Sequence, residues 1–332
     1  MAPIINWRNN AVSKIYLHHY WTSPFCEKIR LLLGYLDLEW HSVHTTTIMP
    51  RPLLMPLSGG YRKVPVAQIG ADVYCDSNMI ARAIAEFAGD ETLYAPGFAA
   101  TRVADAASND LFRLMTALSF RPEAIGTVYN HPDDRMAAAG NSGERESGRA
   151  AAMERFIADR ADLDGKGYLM KIKPEVAQST LIHWLAELDS SVESGFIFGD
   201  TPSIADFSVY HPLWYLRNNA YNAPIIEAYP NVLRWFDRIA AFGHGRVIES
   251  DGEAALAEAR ACEPSASEPV VVGVDAKPGD TVCITPTDYG KVPVEGELVC
   301  ADPYEFAVRR TTDETGAIVT HFPRTGFELK QI

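Results

Sequence analysis

The spacing of apolar positions divides the chain into three parts. Ser13 to Tyr20 (SKIYLHHY) is short, β-branched and aromatic, and predicts a strand. Residues 24–35 continue with Phe25, Ile29, Leu32 and Leu33 at helical spacing. LEWHSVHT (38–45) reads as a second strand and MPRPLLMPLSGG (49–60) as a proline-rich loop. VPVAQIG (64–70) and DVYC (72–75) predict a hairpin, and SNMIARAIAEF (77–87) a helix with alanine at its packing positions. The resulting order, β-α-β-loop-β-β-α, is that of an α/β unit, which GDETLYAPGF (89–98) closes.

From about Thr101 to Cys262 the period is helical. VADAASNDLFRLMTALSF, ERESGRAAAMERFIADRADL, PEVAQSTLIHWLAELDSSVES and PNVLRWFDRIAAFG carry it, and turns such as Phe198-Gly199-Asp200-Thr201-Pro202 separate them. This part is predicted to be all-α. A short polar linker, EPSASEP (263–269), leads to VVVGVDA, DTVCITP, GELVCAD, EFAVRRT and AIVTHFP. These are five or so short strands, and they predict a compact β-barrel or β-sandwich over the last sixty or so residues.

Composition narrows the function classes. With 332 residues, two or three domains with real cores are expected, and 47% apolar with 22% charged residues is ordinary for a globular protein. No run approaches the ~18–20 apolar residues that span a bilayer. MAPIINWRNNAVSK lacks the apolar core of a signal peptide, so a cytoplasmic location without a membrane partner is expected. The net charge of −13 argues against a nucleic-acid or anionic-membrane partner but leaves room for a local cationic pocket. The five cysteines, Cys26, Cys75, Cys262, Cys283 and Cys300, contain no CxxC pair, so no disulfide framework or cysteine zinc site is expected. His18-His19 and His41-x-x-His44 lack partners at ligand spacing, and no metal site is expected.

Three short segments carry candidate chemistry. Ser23-Pro24 fits the N-cap and first position of a helix, the hydroxyl accepting an amide and proline tolerating its missing one. The same geometry is an anion site, where free amides and a serine hydroxyl favour a bound thiolate. In Arg62-Lys63-Val64-Pro65-Val66, a proline opening a β-run suits a cis Val64–Pro65 bond that lets Val64 pair with a peptide-like ligand. Asp76-Ser77 starts the next helix and is either a cap or a holder of an amino-acid zwitterion.

In this order and spacing, SPFCEKIR, RKVPV and CDS resemble the N-terminal thioredoxin-like domain of cytosolic glutathione transferases. GDTPSIADF (199–207) is similar to the family's helix-capping segment, and YPNVLRWFDRIAAFGHG resembles the stretch usually found after that segment. Ser203 and Asp206 are in capping-box spacing, which makes Asp206 structural. The resemblance covers roughly residues 13–250. It implies a thioredoxin-like glutathione-binding domain over 13–90 and an all-helical C-terminal domain over 100–262, and the small β-barrel module over 270–332 departs from the two-domain family. The expected fold class is therefore multidomain: α/β, all-α and small all-β.

The resemblance also implies a site. Ser23 stands where serine-type members keep the hydroxyl that stabilises the glutathione thiolate. Cys26 falls where a dithiol relative keeps its second cysteine. His19 occupies the place of the tyrosine in tyrosine-type members, and Tyr20 is one residue late, which in a strand turns it to the opposite face. Cys26, His19 and Tyr20 are thus lesser catalytic candidates. Val64 would offer backbone bonds to the cysteinyl part ahead of Pro65, Lys63 would face the glycyl carboxylate, and Asp76 and Ser77 would hold the γ-glutamyl end. Phe112 and Met115 fit either the electrophile pocket or the helical core.

The function implied is a glutathione-dependent transferase, with glutathione as cosubstrate, a small-molecule electrophile as partner and a homodimer as assembly. One alternative is a thiol-disulfide reductase, isomerase or peroxidase of the same fold, which would need Cys26. Another is a non-catalytic binding protein whose β module is the interaction site. Arg309, Arg310 and Arg324 read as a solvated basic face, since no aromatic platform accompanies them.

Overall fold

The computed structural model describes residues 14–127, 145–165, 167, 171–265 and 270–332. The N-terminal stretch up to Ser13 and the linker positions 266–269 lie outside the described residues. The first unit comprises β1 (Ile15–His19), α1 (Pro24–Tyr35), β2 (Glu39–His44), a short α2 (Met55–Ser58) in the proline-rich stretch, β3 (Val66–Ile69), β4 (Asp72–Cys75) and α3 (Ser77–Ala88). β1 is buried along its whole length because its faces serve different cores. Ile15 and Leu17 join the core under α1, α3 and the helical part, whereas Tyr16 joins a second core under α2. A strand covered on both faces needs a near-continuous apolar run.

Then α4 (Phe98–Ala106) passes through a π-helical turn (Ala107–Leu111) into α5 (Phe112–Ser119). Next come α6 (Arg145–Asp164), α7 (Pro174–Ser191), α8 (Ile204–Arg217), α9 (Ala223–Glu227) and α10 (Pro230–Ala240). α8 is buried from Ile204 to Leu213 and packs against α1 and α4. Ser203 and Asp206 form the expected capping box at its start. The Asp206 carboxylate accepts from Ile197 N (2.8 Å), Ser203 N (2.8 Å), Ser203 Oγ (3.0 Å) and Trp235 Nε1 (2.9 Å). It is fully buried and spent on structure.

The helical run is interrupted where the sequence predicts none. β5 (Arg246–Ser250) pairs in parallel with β2 before α11 (Gly252–Ala261) resumes. Its five residues are mostly exposed, so they carry little strand-like burial pattern.

The C-terminal part is β6 (Thr281–Pro286), β7 (Val294–Ala301), β8 (Glu305–Thr312), β9 (Gly316–Pro323) and β10 (Phe327–Gln331), joined antiparallel. Within VVVGVDA only Val271 bridges to Ala301, whereas Phe327–Gln331 is a full strand on β6. Here Phe327 is buried while Glu328 and Lys330 face solvent, the two-residue period of a half-buried strand. These strands continue the first sheet. β9 pairs in parallel with β4 through Asp72↔Val319, Val73↔Thr320 and Tyr74↔His321. The result is one ten-stranded sheet, β10-β6-β7-β8-β9-β4-β3-β1-β2-β5.

Polar ties fix the seam. His321 reaches Asp72 (3.2 Å) and Glu305 (3.0 Å) and stacks on Tyr74 at 4.6 Å. Arg310 donates to the carbonyls of Pro56 (3.1 Å) and Leu57 (3.2 Å), whereas Arg324 ties the C-terminal part internally, through the carbonyls of Asp302 (2.9 Å) and Gly273 (3.2 Å). Of the three arginines expected on a solvated face, only Arg309 is exposed; the other two hold backbone. Among the described residues, no helix is long and apolar enough to cross a membrane.

Candidate functional site

Ser23 caps α1: its Oγ accepts from Cys26 N at 3.3 Å, and Pro24 takes the first helical position. Because that oxygen accepts from the backbone, its hydrogen remains to be donated into the cavity that Ser23 lines. The turn ahead of it is braced from below. Arg30 pairs with Glu27 (2.6 Å) and donates to the carbonyls of Tyr20 (3.2 Å) and Trp21 (2.9 Å). Burial opposes the Glu27 charge, but Arg30 and His244 outweigh it and lower its pKa.

His19 belongs to this brace. Its ring nitrogens lie 3.2 Å from Arg30 Nη1 and 3.0 Å from Ser42 Oγ, and burial, with Arg30 adding, holds its pKa well below the usual value. It is fully buried and lines neither of the two cavities of the site. Tyr20 does line the cavity beside Ser23. β1 ends at His19, so the alternation that would turn Tyr20 away no longer applies. Cys26 is fully buried and reaches neither cavity.

The other predicted residues meet in one place. Lys63, Val64, Pro65, Asp76 and Ser77 line a polar cavity of about 200 Å³ together with Phe25, Asn78, Asp105 and Phe112. The Val64–Pro65 bond is cis, and Val64 precedes the ladder that begins at Val66. Asp76 caps α3, accepting from Asn78 N at 2.9 Å with φ 79°. Burial raises the Asp76 carboxyl although Lys63 and Lys28 oppose it.

Lys28 is a contributor that sequence reasoning does not single out. Fully buried in α1, it donates to Ser77 Oγ (3.3 Å) and Asn78 Oδ1 (2.6 Å), and burial pushes its ammonium down to about 8. By occupying the Ser77 oxygen it leaves that hydroxyl hydrogen for a ligand.

A further part of the wall comes from two loops of the C-terminal part and the start of β10: Thr287, Asp288, Tyr289, Thr325, Gly326 and Phe327. Lys63 Nζ lies 2.9 and 3.1 Å from the two Asp288 oxygens and 4.4 Å from the Tyr289 ring centre. Gly290 seats this loop. It has φ 64°, its amide donates to Leu163 O at 2.8 Å, and a Cβ there would lie 2.9 Å from Leu163 Cδ1. Gly290→Val is therefore expected to cost about 1–3 kcal/mol and to unseat the loop. Amide hydrogen exchange checks this: protection should fall at Asp288–Lys291 while β4 and β9 keep theirs.

A larger cavity of about 420 Å³ adjoins the first, sharing Phe25, Lys63, Val64, Phe112 and Tyr289 with it. Tyr20, Ser23, Met115, Phe120, Phe156, Arg160, Leu163 and Tyr215 are among the other residues of its wall. Phe112 and Met115, ambiguous in sequence, thus face this cavity from α5. A polar, charged pocket and an aromatic one meet at the shared residues, and Ser23 lies on the aromatic side. This arrangement can hold a small zwitterion on one side and an apolar reactant on the other.

Residues 17–92 match the sequence profile of the glutathione S-transferase N-terminal domain, and residues 173–238 that of the C-terminal domain. No curated protein matches the chain. Among solved structures, a GST-like protein from Pseudomonas syringae aligns with a TM-score of 0.75 and 35% identity, covering 96% of this chain and 100% of that one. A glutathione S-transferase from Rhodospirillum rubrum F11 aligns at a TM-score of 0.45 and 14% identity, over 68% of this chain and 88% of that one. A rice glutathione transferase in complex with glutathione gives 0.44 and 15%, over 73% and 94%.

Proposed function

The chain belongs to the glutathione S-transferase family, and from that premise we propose that it activates a glutathione-type thiol at Ser23 for attack on a small electrophile. The observation that carries this reading is the place of Ser23, on the wall of the aromatic cavity two residues before Phe25, which lines both cavities, with its oxygen already engaged by an amide.

A free thiol is mostly protonated at neutral pH. Donation from the Ser23 hydroxyl, beside the amide end of α1, favours the thiolate and lowers the thiol pKa. The thiolate then forms the new bond to the electrophile in the larger cavity, and the leaving group departs with the bonding pair. Holding both reactants at one junction supplies the rest of the acceleration. In the polar cavity Asp76 takes the α-ammonium of the γ-glutamyl group, Ser77 its carboxylate, and the Val64 backbone the cysteinyl part. The glutathione-type thiol is here a cosubstrate that is consumed.

The reductase reading needs a reactive thiol at Cys26, and burial speaks against it. Cys26→Ala should keep conjugation of glutathione to a chloronitrobenzene within about twofold, as a small buried apolar position would. Loss of turnover in that variant, with disulfide reduction lost in parallel, would establish the thiol mechanism instead. A wild-type protein that binds glutathione and conjugates nothing would leave only the binding-protein reading.

A reducing compartment such as the cytoplasm suits a chain in which no disulfide joins the five cysteines. For assembly we retain the homodimer. Light scattering tests it, and a mass of one 36.6 kDa chain would remove it.

A further inference from the structure

In the polar cavity the cation placed for a glycyl carboxylate, Lys63, is already engaged by a side chain of the protein. The cavity walls carry three carboxylates, Asp76, Asp105 and Asp288, and one ammonium, Lys63, while the Lys28 ammonium stands behind Ser77 and Asn78. Asp105 already pairs with Arg102 at 2.7 Å. Lys63, the group that would receive a glycyl carboxylate, is held by both oxygens of Asp288, at 2.9 and 3.1 Å. The pair is largely shielded, with Lys63 11% and Asp288 24% exposed at the side chain. Around the ammonium stand the rings of Tyr289, Tyr61 and Phe327, at 4.4, 5.6 and 5.8 Å from ring centre to nitrogen.

Asp288 is not loosely placed. Thr287 N donates to Gly326 O (2.9 Å) on one side of it, and Gly290 N to Leu163 O (2.8 Å) on the other. A second carboxylate arriving from a ligand would have to displace Asp288 or lie against it, and like charges at that range repel.

We propose that Asp288 stands in the place of the ligand's distal carboxylate, so that the site takes a γ-glutamyl-cysteinyl thiol whose glycyl end is uncharged, an amide or ester in place of the free acid. Asp288 and Tyr289 are then specificity-determining residues supplied by the loop between β6 and β7. The α-ammonium at the other end still meets Asp76, so Asp288 acts only at the distal end, against a second anionic group. This inference rests on the transferase reading, because that reading sets which part of the ligand lies at Lys63.

The test compares calorimetric affinities for glutathione and for its glycyl monoethyl ester, using the full chain as wild type, Asp288→Asn and Asp288→Glu. The wild type should bind the ester about tenfold more tightly than the free acid, the scale of one charge-assisted hydrogen bond. Asp288→Asn should tighten glutathione by about tenfold while changing the ester little, since it frees Lys63. Asp288→Glu should keep the wild-type order. A wild type that prefers the free acid, or a ratio that Asp288→Asn leaves unchanged, overturns the proposal while the transferase reading stands. If neither thiol binds wild type or variants at millimolar concentration, the transferase reading itself fails and the specificity proposal falls with it.

Discussion

Ser23→Ala is expected to lower kcat for conjugation by about 10²-fold while moving the KM for the thiol less than about threefold. The hydroxyl's hydrogen bond is strong only when sulfur is charged, so its loss falls on the reacting state and not on binding. The same substitution removes the α1 cap and should cost about 1 kcal/mol of stability. The two effects separate in measurement. A purely structural role would lower the melting temperature and leave the thiol's ionisation unchanged. Ser23→Thr, which keeps both the cap and the donor, should recover most of the turnover.

His321→Ala is expected to cost about 3–5 kcal/mol, because it strands two buried carboxylates on the seam between β4 and β9. The side chains of His321, Asp72 and Glu305 are 7%, 2% and 14% exposed. Burial opposes the imidazolium, but Glu305 and Asp72 outweigh it and push the His321 pKa up to about 10. In the unfolded chain the value is about 6.5. The folded state therefore keeps a proton that the unfolded state gives up. The stabilisation is fully present below about pH 6.5 and is lost as pH rises toward 10. Urea unfolding at about pH 6 and about pH 9 reads this directly: the gap between wild type and His321→Ala should narrow at the higher pH. A gap that stays constant would mean that packing on Tyr74, and not charge, holds the seam.

The first unit is legible in the sequence because its elements carry their own signals, except the single-turn α2 inside the stretch that reads as a loop. Ser23-Pro24 and Asp76-Ser77 are caps, and caps are local chemistry that short sequence discloses. The same holds for Ser203 and Asp206. Long-range pairing leaves no such mark. DVYC alternates in the same way whether the outer edge of β4 is open or, as here, covered by β9. With that contact invisible, the C-terminal strands read as an appended module, and nothing links Asp288 or Tyr289 to Lys63. For Tyr20 the difference is one residue of strand length, since the end of β1 decides whether it alternates or turns. His19 cannot be placed without Arg30, whose reach across the turn is a tertiary contact.

One physical claim is central to the proposed function: the cavity beside Ser23 makes a thiol more acidic. The direct measurement is the ultraviolet thiolate absorbance of glutathione at saturating protein, titrated with pH for wild type and Ser23→Ala. For the wild type the midpoint should fall at least about one unit below the ~8.5 of a free thiol, and in Ser23→Ala it should return most of the way. A bound thiol that titrates in the wild type at or above the free value would contradict that claim.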